Sequence, residues 1–391
     1  MTNNDFKFVK LIDLCIKKPE YGSGSKASEF NSKLPRYVRI TDINEQGYLK
    51  NENLVSPENV EEKYFLEEND LLFARSGSVG KTYLYNKDDG LCQFAGYLIR
   101  FKLNLDLILP EFLFYYTKSK YYWNWIETQK KTVTISNINA KQYSNLPVPL
   151  IPLDLQKEIV RKLKRLDELI GHKEVSIRLL DEYITSSFIK LFGNPITNSF
   201  NWTTMRFEDV GSIKRGKSKH RPRNDPILLG GKYPLIQTGD VASAGNYIYK
   251  YNQTYSEVGF KQSKMWPINT LCITIAANIA ETTILTFESC FPDSIVGFIP
   301  NEHVVPEYVQ YWLKFLQKIL EEQAPQSAQK NINLKILSKL EIPVPPIELQ
   351  TQFADLVKQI ETLKKQQLKS KCEIENLIDS VMKKTIGGYL C

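Results

Sequence analysis

Two stretches of the chain place apolar residues three and four positions apart for much longer than an ordinary helix requires. In the first, Ile159, Leu163, Leu166, Ile170, Ile177, Leu180, Ile184 and Leu191 keep that spacing, with Lys173 and Ser187 as the exceptions. In the second, Leu349, Phe353, Leu356, Ile360, Leu363, Ile374, Leu377 and Val381 do the same. Such seams predict two long helices that pair as a coiled coil. Gly193-Asn194-Pro195 and Gly387-Gly388 supply stop signals at matching places. Some 35 residues, at about 1.5 Å each, give a rod of roughly 50 Å. Elsewhere the pattern changes faster. Short runs rich in β-branched and aromatic residues, Arg36 to Ile43, Leu71 to Ala74, Tyr83 to Tyr85, Leu235 to Gln237 and Leu271 to Ile275, alternate with Gly, Asn and Asp turns. They predict sheet-rich globular parts over residues 1–145 and 198–341, each with a helix opening at Pro110-Glu111 or Pro306-Glu307.

The two halves follow one plan. Pro147-Val148-Pro149 is echoed by Pro343-Val344-Pro345 at an offset of 196. Pro152-Leu-Asp-Leu-Gln156 is echoed by Pro346-Ile-Glu-Leu-Gln350 at 194, the difference being Leu150-Ile151. Pro110-Glu111-Phe112 answers Pro306-Glu307-Tyr308, Cys92 answers Cys290, Asn69 answers Asn269, Asp42 answers Asp240 and Asp13 answers Asp209, all in order. A unit of about 195 residues is too long for a solenoid, so the pattern means a duplicated domain followed by a helix. The ends of a domain commonly lie close together, which predicts an antiparallel helix pair with Lys173 and Gln367 meeting at its centre.

Composition narrows the function. The 391 residues are 42% hydrophobic and 24% charged, as in globular proteins, which excludes a disordered or low-complexity chain. No apolar run reaches the roughly 18 residues of a membrane span and the start Met1-Thr-Asn-Asn-Asp5 is polar, so a cytoplasmic protein without membrane contact is expected. Six scattered cysteines and three isolated histidines, His172, His220 and His303, form no zinc pattern, so neither metal nor cofactor is expected. The net charge of +7 permits a polyanionic partner.

Arg75-Ser76-Gly-Ser-Val-Gly80-Lys81-Thr82 ends like a phosphate loop, but Arg75 stands where that motif needs glycine, and strand follows where it needs a helix. A stand-alone nuclease or nucleotide hydrolase using the Gly77 to Thr82 turn is the alternative reading. A tight turn, either plain or offering Arg75, Ser76 and Lys81 to bases and phosphates, fits better. Neither the N-P-P-aromatic signature of adenine methyltransferases nor a defensible nuclease motif is present, so the chain reads as non-catalytic.

Basic residues concentrate in loops. Lys214, Arg215, Lys217, Lys219, Arg221 and Arg223, with His220 among them, fall between Gly211 and Asn224 without an acid. A solvated loop is the plain alternative; Gly216, which permits close backbone approach, favours nucleic acid. The matching loop of the first copy, Lys17 to Lys26, offers Tyr21, Ser23 and Lys26. Further candidates for DNA contact are Arg39, Lys130, Thr132, Gln237, Gln329 and Lys330, each with an ordinary surface role as its alternative. The aromatic run Phe112 to Trp125 has helical spacing and is assigned to core packing.

Two sheet-rich domains, each followed by a Pro-x-Pro element, a helix start at Leu153 to Gln156 or Ile347 to Gln350, and a long helix ending in glycine, resemble the specificity subunit of type I restriction-modification systems. The resemblance implies an α+β fold with an internal pseudo-two-fold repeat. It implies target recognition domains at 1–149 and 196–345 and conserved helical regions at 150–195 and 346–391. It further implies that each domain reads half of a split, asymmetric site in double-stranded DNA. The helices would set the gap and dock two methyltransferase subunits that use S-adenosylmethionine, and through these the restriction and motor subunits.

Overall fold

The computed structural model describes residues 7–131, 137–220, 222–275, 280–323 and 334–387. Packing divides the chain into two units, Met1–Lys173 with Lys369–Cys391, and Glu174–Leu368.

In unit 1, strands β1 (Lys7–Lys10), β2 (Glu20–Tyr21), β3 (Leu71–Ala74), β4 (Thr82–Leu84) and β5 (Leu98–Phe101) lead to helix α1 (Pro110–Tyr116). Strand β6 (Pro147–Leu150) and the long helix α2 (Leu153–Phe192) follow. Four of the strands form an antiparallel sheet in the order β2-β5-β3-β4. Unit 2 repeats the arrangement with β7 (Thr204–Arg206), β8 (Gly211–Arg215), β9 (Leu271–Thr274), β10 (Thr282–Leu285), β11 (Ile295–Pro300), α3 (Pro306–Gln323), β12 (Glu341–Pro343) and α4 (Ile347–Gly387). Its sheet runs β8-β11-β9-β10, with Tyr247–Ile248 added in parallel at the β10 edge. The same strand order in both units is the structural form of the sequence repeat.

The Pro-x-Pro elements are strands rather than mere connectors. β6 lies antiparallel to β1 with Lys7 opposite Leu150, and β12 lies antiparallel to β7 with Thr204 opposite Pro343. Proline lacks a backbone donor, which confines it to the edges of sheets, and these are isolated two-stranded ribbons with only one partner per strand. Each ribbon joins the first strand of a domain to its last, so the ends of each domain do lie together.

Two expected strands end early for one reason. Arg36 to Ile43 forms a strand only over Arg36–Val38, because the Asp42 carboxylate accepts the Arg39 N–H at 2.8 Å and turns the chain. In the second copy the Asp240 carboxylate accepts the Gln237 N–H at 2.8 Å, and a short helix starts at Thr238.

Helices α2 and α4 form where the seams place them, after Pro152 and Pro346. Gly193 takes φ 78°, the left-handed value that ends α2. In unit 1, Ile159, Leu163 and Ile170 of α2 share a core with Ile378 and Met382 of α4. In unit 2, Ile184, Phe188 and Phe192 of α2 meet Phe353, Val357 and Ile360 of α4. The beginning of one helix thus packs with the end of the other, and the pair is antiparallel. Each unit holds one sheet domain and a stretch of both helices, because a long helix is stable only where its seam is covered. Of the aromatic run, Phe112, Phe114, Tyr115, Tyr116 and Tyr122 are buried in the unit 1 core, while Trp123 is partly exposed.

Candidate nucleic-acid interface

The basic loop of unit 2 and its counterpart in unit 1 are built on the same bonds. In unit 1, Gly22 N donates to Leu98 O at 3.2 Å and Ser23 N to Phe94 O at 2.9 Å. In unit 2, Gly216 N donates to Ile295 O at 2.9 Å and Lys217 N to Phe291 O at 3.1 Å. A Cβ on Gly22 would sit 2.3 Å from Ala95 O, and one on Gly216 2.3 Å from Phe291 O. Both glycines therefore serve a close approach to the neighbouring chain segment. This corrects the expectation that Gly216 makes room for nucleic acid.

The frame places different side chains at equivalent points: Tyr21 where unit 2 has Arg215, and Ser23 where it has Lys217. Ser23 is buried, its hydroxyl accepting from Ser25 N at 3.1 Å and its carbonyl from the Tyr37 hydroxyl at 2.8 Å, so it shapes the loop and offers nothing outward. Lys26 is exposed. The Arg75 guanidinium lies 4.8 Å from the centre of the Tyr21 ring, and Arg75 Nε donates to Asn137 Oδ1 at 3.4 Å. Ser76 pairs with Asn137 in an isolated bridge, and the Tyr21 hydroxyl accepts from Ala140 N at 3.1 Å. Tyr21, Arg75 and Ser76 thus form one cluster beside the loop.

Other candidates are engaged elsewhere. Arg39 Nε and Nη2 hold both Asp42 oxygens at 3.0 and 2.8 Å, a structural clamp that raises the guanidinium's pKa. Lys81 pairs with Glu45 at 2.5 Å, and Lys130 with Glu127 at 2.7 Å. The turn before Lys81 is the β3–β4 hairpin, with Ala74 N donating to Lys81 O at 2.8 Å. Thr82 opens a strand and its hydroxyl is buried against that of Thr117 at 2.6 Å. A nucleotide site here would need a helix and a free hydroxyl, so the hydrolase reading loses its structural context.

In unit 2, Lys214, Arg215, Lys217, Lys219, His220 and Arg223 are all exposed. The loop is ordered by side chains beneath it. Gln262 Oε1 accepts from His220 N at 3.0 Å and also from Lys219 N, while the Ser263 hydroxyl donates to Lys217 O at 3.0 Å. His220 Nε2 lies 2.9 Å from Asp225 Oδ2 and Arg223 pairs with Asp293. Gln237 Nε2 donates to Gln253 Oε1 at 3.0 Å. Thr132, Arg221, Gln329 and Lys330 lie outside the described residues.

Sequence reasoning missed Lys264, whose ammonium sits 4.0 Å from the centre of the Trp266 ring. Its pKa is lowered, first by burial and then by Lys214 and Lys217 nearby. It belongs to no basic run, so only the tertiary structure brings it to the loop. Among the described residues, no group of His, Cys, Asp and Glu could hold a metal ion, and no helix is long and apolar enough to cross a membrane.

The family described as type I restriction modification DNA specificity domain matches residues 3–178 and again 200–375. The chain belongs to this family. Its role is therefore that of a DNA sequence-specificity subunit of a type I restriction-modification system. It is 24% identical to the type I restriction enzyme MjaVIII specificity subunit of Methanocaldococcus jannaschii, over 83% of this chain and 80% of that one. It is 22% identical to the type I restriction enzyme EcoBI specificity subunit of Escherichia coli, over 94% and 83%. The crystal structure of a type I restriction-modification S subunit from M. genitalium shares the fold, with TM-score 0.54, 16% identity and coverage of 98% of this chain and 97% of that one.

Proposed function

We propose that each unit reads one half of a split, asymmetric DNA site through the loop that follows β2 or β8. The single observation that carries this reading is the pair of matched loops, anchored by equivalent backbone bonds yet displaying Tyr21 with Arg75 in one unit and Arg215 in the other. Equivalent frames with different donors are what a duplicated reader of two different half-sites requires. Unit 1 contributes Tyr21, Lys26, Arg75 and Ser76; unit 2 contributes Lys214, Arg215, Lys217, Lys219 and Gln237.

In this reading the chain works in the cytoplasm and has no active site of its own. The helices set the gap between half-sites and dock two methyltransferase subunits, which bring S-adenosylmethionine, and through these the restriction and motor subunits. The test is to express the full chain with its methyltransferase partner and map methylated adenines across a genome. A motif split by a fixed gap is expected, and Arg215→Ala should relax the preference in one half only. An unsplit motif, or a variant that alters both halves equally, would overturn the reading.

A further inference from the structure

We infer that Lys214, Lys217 and Lys264 together hold a single backbone phosphate of DNA in unit 2, and that an internal ion pair closes the matching place in unit 1. The inference rests on the DNA-reading role above and adds to it a ligand group, a new residue and a difference between the two copies.

The sheet register shows how the copies diverge. In unit 1, Glu20 of β2 lies opposite Arg100 of β5, and Arg100 Nη2 binds the Glu20 carboxylate at 2.6 Å. Arg100 also reaches Asp70 at 3.2 Å, and Lys17 reaches Glu20 at 2.8 Å. The charges there satisfy one another. In unit 2 the same register brings Lys214 of β8 opposite Gly297 of β11. A Cβ on Gly297 would come within 2.5 Å of the Trp266 ring, so an indole packs on the strand at the position whose counterpart carries Arg100. No acid replaces Glu20.

Trp266 in turn carries the ammonium of Lys264 on its ring, and the adjacent Ser263 holds the Lys217 carbonyl. The ammonium of Lys264 and the backbones of Lys214 and Lys217 are thereby brought to the surroundings of one indole. Among the described residues none of the three has a carboxylate partner; the acids around the loop are paired elsewhere, Asp225 with His220, Asp293 with Arg223 and Glu257 with Lys232. Burial first, and then the like charges of Lys214 and Lys217, lower the pKa of Lys264. A bound anion would relieve the repulsion of those like charges. A phosphodiester suits the place, because its two free oxygens accept from several ammonium groups at once and lysine acts as a point charge toward phosphate. Such a contact fixes the position of the duplex without reading sequence.

The test measures binding of a duplex carrying the mapped target to the full chain with its methyltransferase, as a function of salt. Each phosphate neutralised adds about 0.9 to the slope of log affinity against log salt. Replacing all three lysines by glutamine should lower the slope by about 0.9, one phosphate, rather than about 2.7 for three. The affinity ratio between 50 and 200 mM salt should therefore shrink about 3.5-fold. The exposed Lys339→Gln should leave the slope unchanged. Lys217→Gln, an exposed change, together with a thermal melt of each variant, keeps the test valid if Lys264→Gln unfolds. An unchanged slope, a fall of about 2.7, or an equal fall for Lys339→Gln would each overturn the shared site while leaving the reading role intact. A wild-type complex that methylates no split motif would instead remove that role.

Discussion

Gly80 and Ala280 occupy the same bend of the β3–β4 and β9–β10 hairpins, with φ of 97° and 58°. The glycine that gave the Gly77 to Thr82 turn its phosphate-loop look is there for this backbone angle. It is also pressed by Trp123, which a Cβ would meet at 2.8 Å. Alanine bears the left-handed strain in the second copy, but its methyl is buried in the unit 2 core, so in Ala280→Gly the relieved strain is offset by the freer unfolded chain and the lost methyl, and stability should move by no more than about 0.5 kcal/mol. Gly80→Ala should cost about 2 kcal/mol, strain and overpacking combined. Thermal unfolding of both variants checks the difference. Glu20 makes a second prediction. Burial raises its pKa, but the bonds from Lys17 and Arg100 outweigh that and hold it below the ordinary 4.5. Below 4.5 the unfolded chain then takes up protons that the folded chain refuses, so stability falls as pH drops toward the lowered value. Relative to Glu20→Gln, the wild type should lose more of its melting temperature through that window; equal losses would show that the pair does not set the acid limit.

Between elements, a buried glutamine does the same work twice. Gln156 of α2 accepts from Leu109 N at 2.8 Å and donates to Leu107 O and Ile151 O at 3.0 and 2.8 Å. Gln350 of α4 accepts from Val305 N at 3.1 Å and donates to His303 O and Pro345 O at 3.0 and 2.8 Å. Each mounts the short helix, α1 or α3, on the start of a long one. Tyrosine hydroxyls reinforce the mount, Tyr116 donating to Pro147 O at 2.6 Å and Tyr308 to Pro343 O at 2.7 Å. Gln156→Ala or Gln350→Ala strands three buried groups and should cost about 3 kcal/mol, seen as faster hydrogen exchange in the unit that carries the change. The sequence displayed these glutamines as part of a repeated word without revealing their partners, because the carbonyls they bind lie 47 to 49 residues away or across a turn. The helical seams were legible because a 3.6-residue period sustained over ten turns has no competitor. The proline-bearing strands were not, since proline argues against a strand unless the partner geometry is known. Lys264 lay hidden for a related reason: one lysine in a polar stretch acquires meaning only from the indole beneath it and the loop above.

For the molecule as a whole, the division within the helices means that unit 1 is completed by residues far along the chain. Met382 is fully buried there and Ile378 nearly so. Removing residues 369–391 should therefore destabilise unit 1 by at least about 3 kcal/mol, from two lost apolar contacts alone. Hydrogen exchange should rise around Ile159, Leu163 and Ile170, while unit 2, whose residues 174–368 are all retained, keeps its protection. Equal loss in both units would show that the helical segments stabilise them jointly. The loops after β2 and β8 were visible in the sequence as matching segments; the unit boundaries were not, because a continuous seam gives no sign of where one core ends and another begins. During synthesis the consequence is an inversion of the usual order. Domains ordinarily fold as they emerge, the N-terminal one first. Here unit 2, one unbroken segment, is complete when Leu368 has left the ribosome, whereas unit 1 must keep the apolar stripe of Ile159, Leu163 and Ile170 open until Ile378 and Met382 arrive. The half of the protein that is translated first is the half that is finished last.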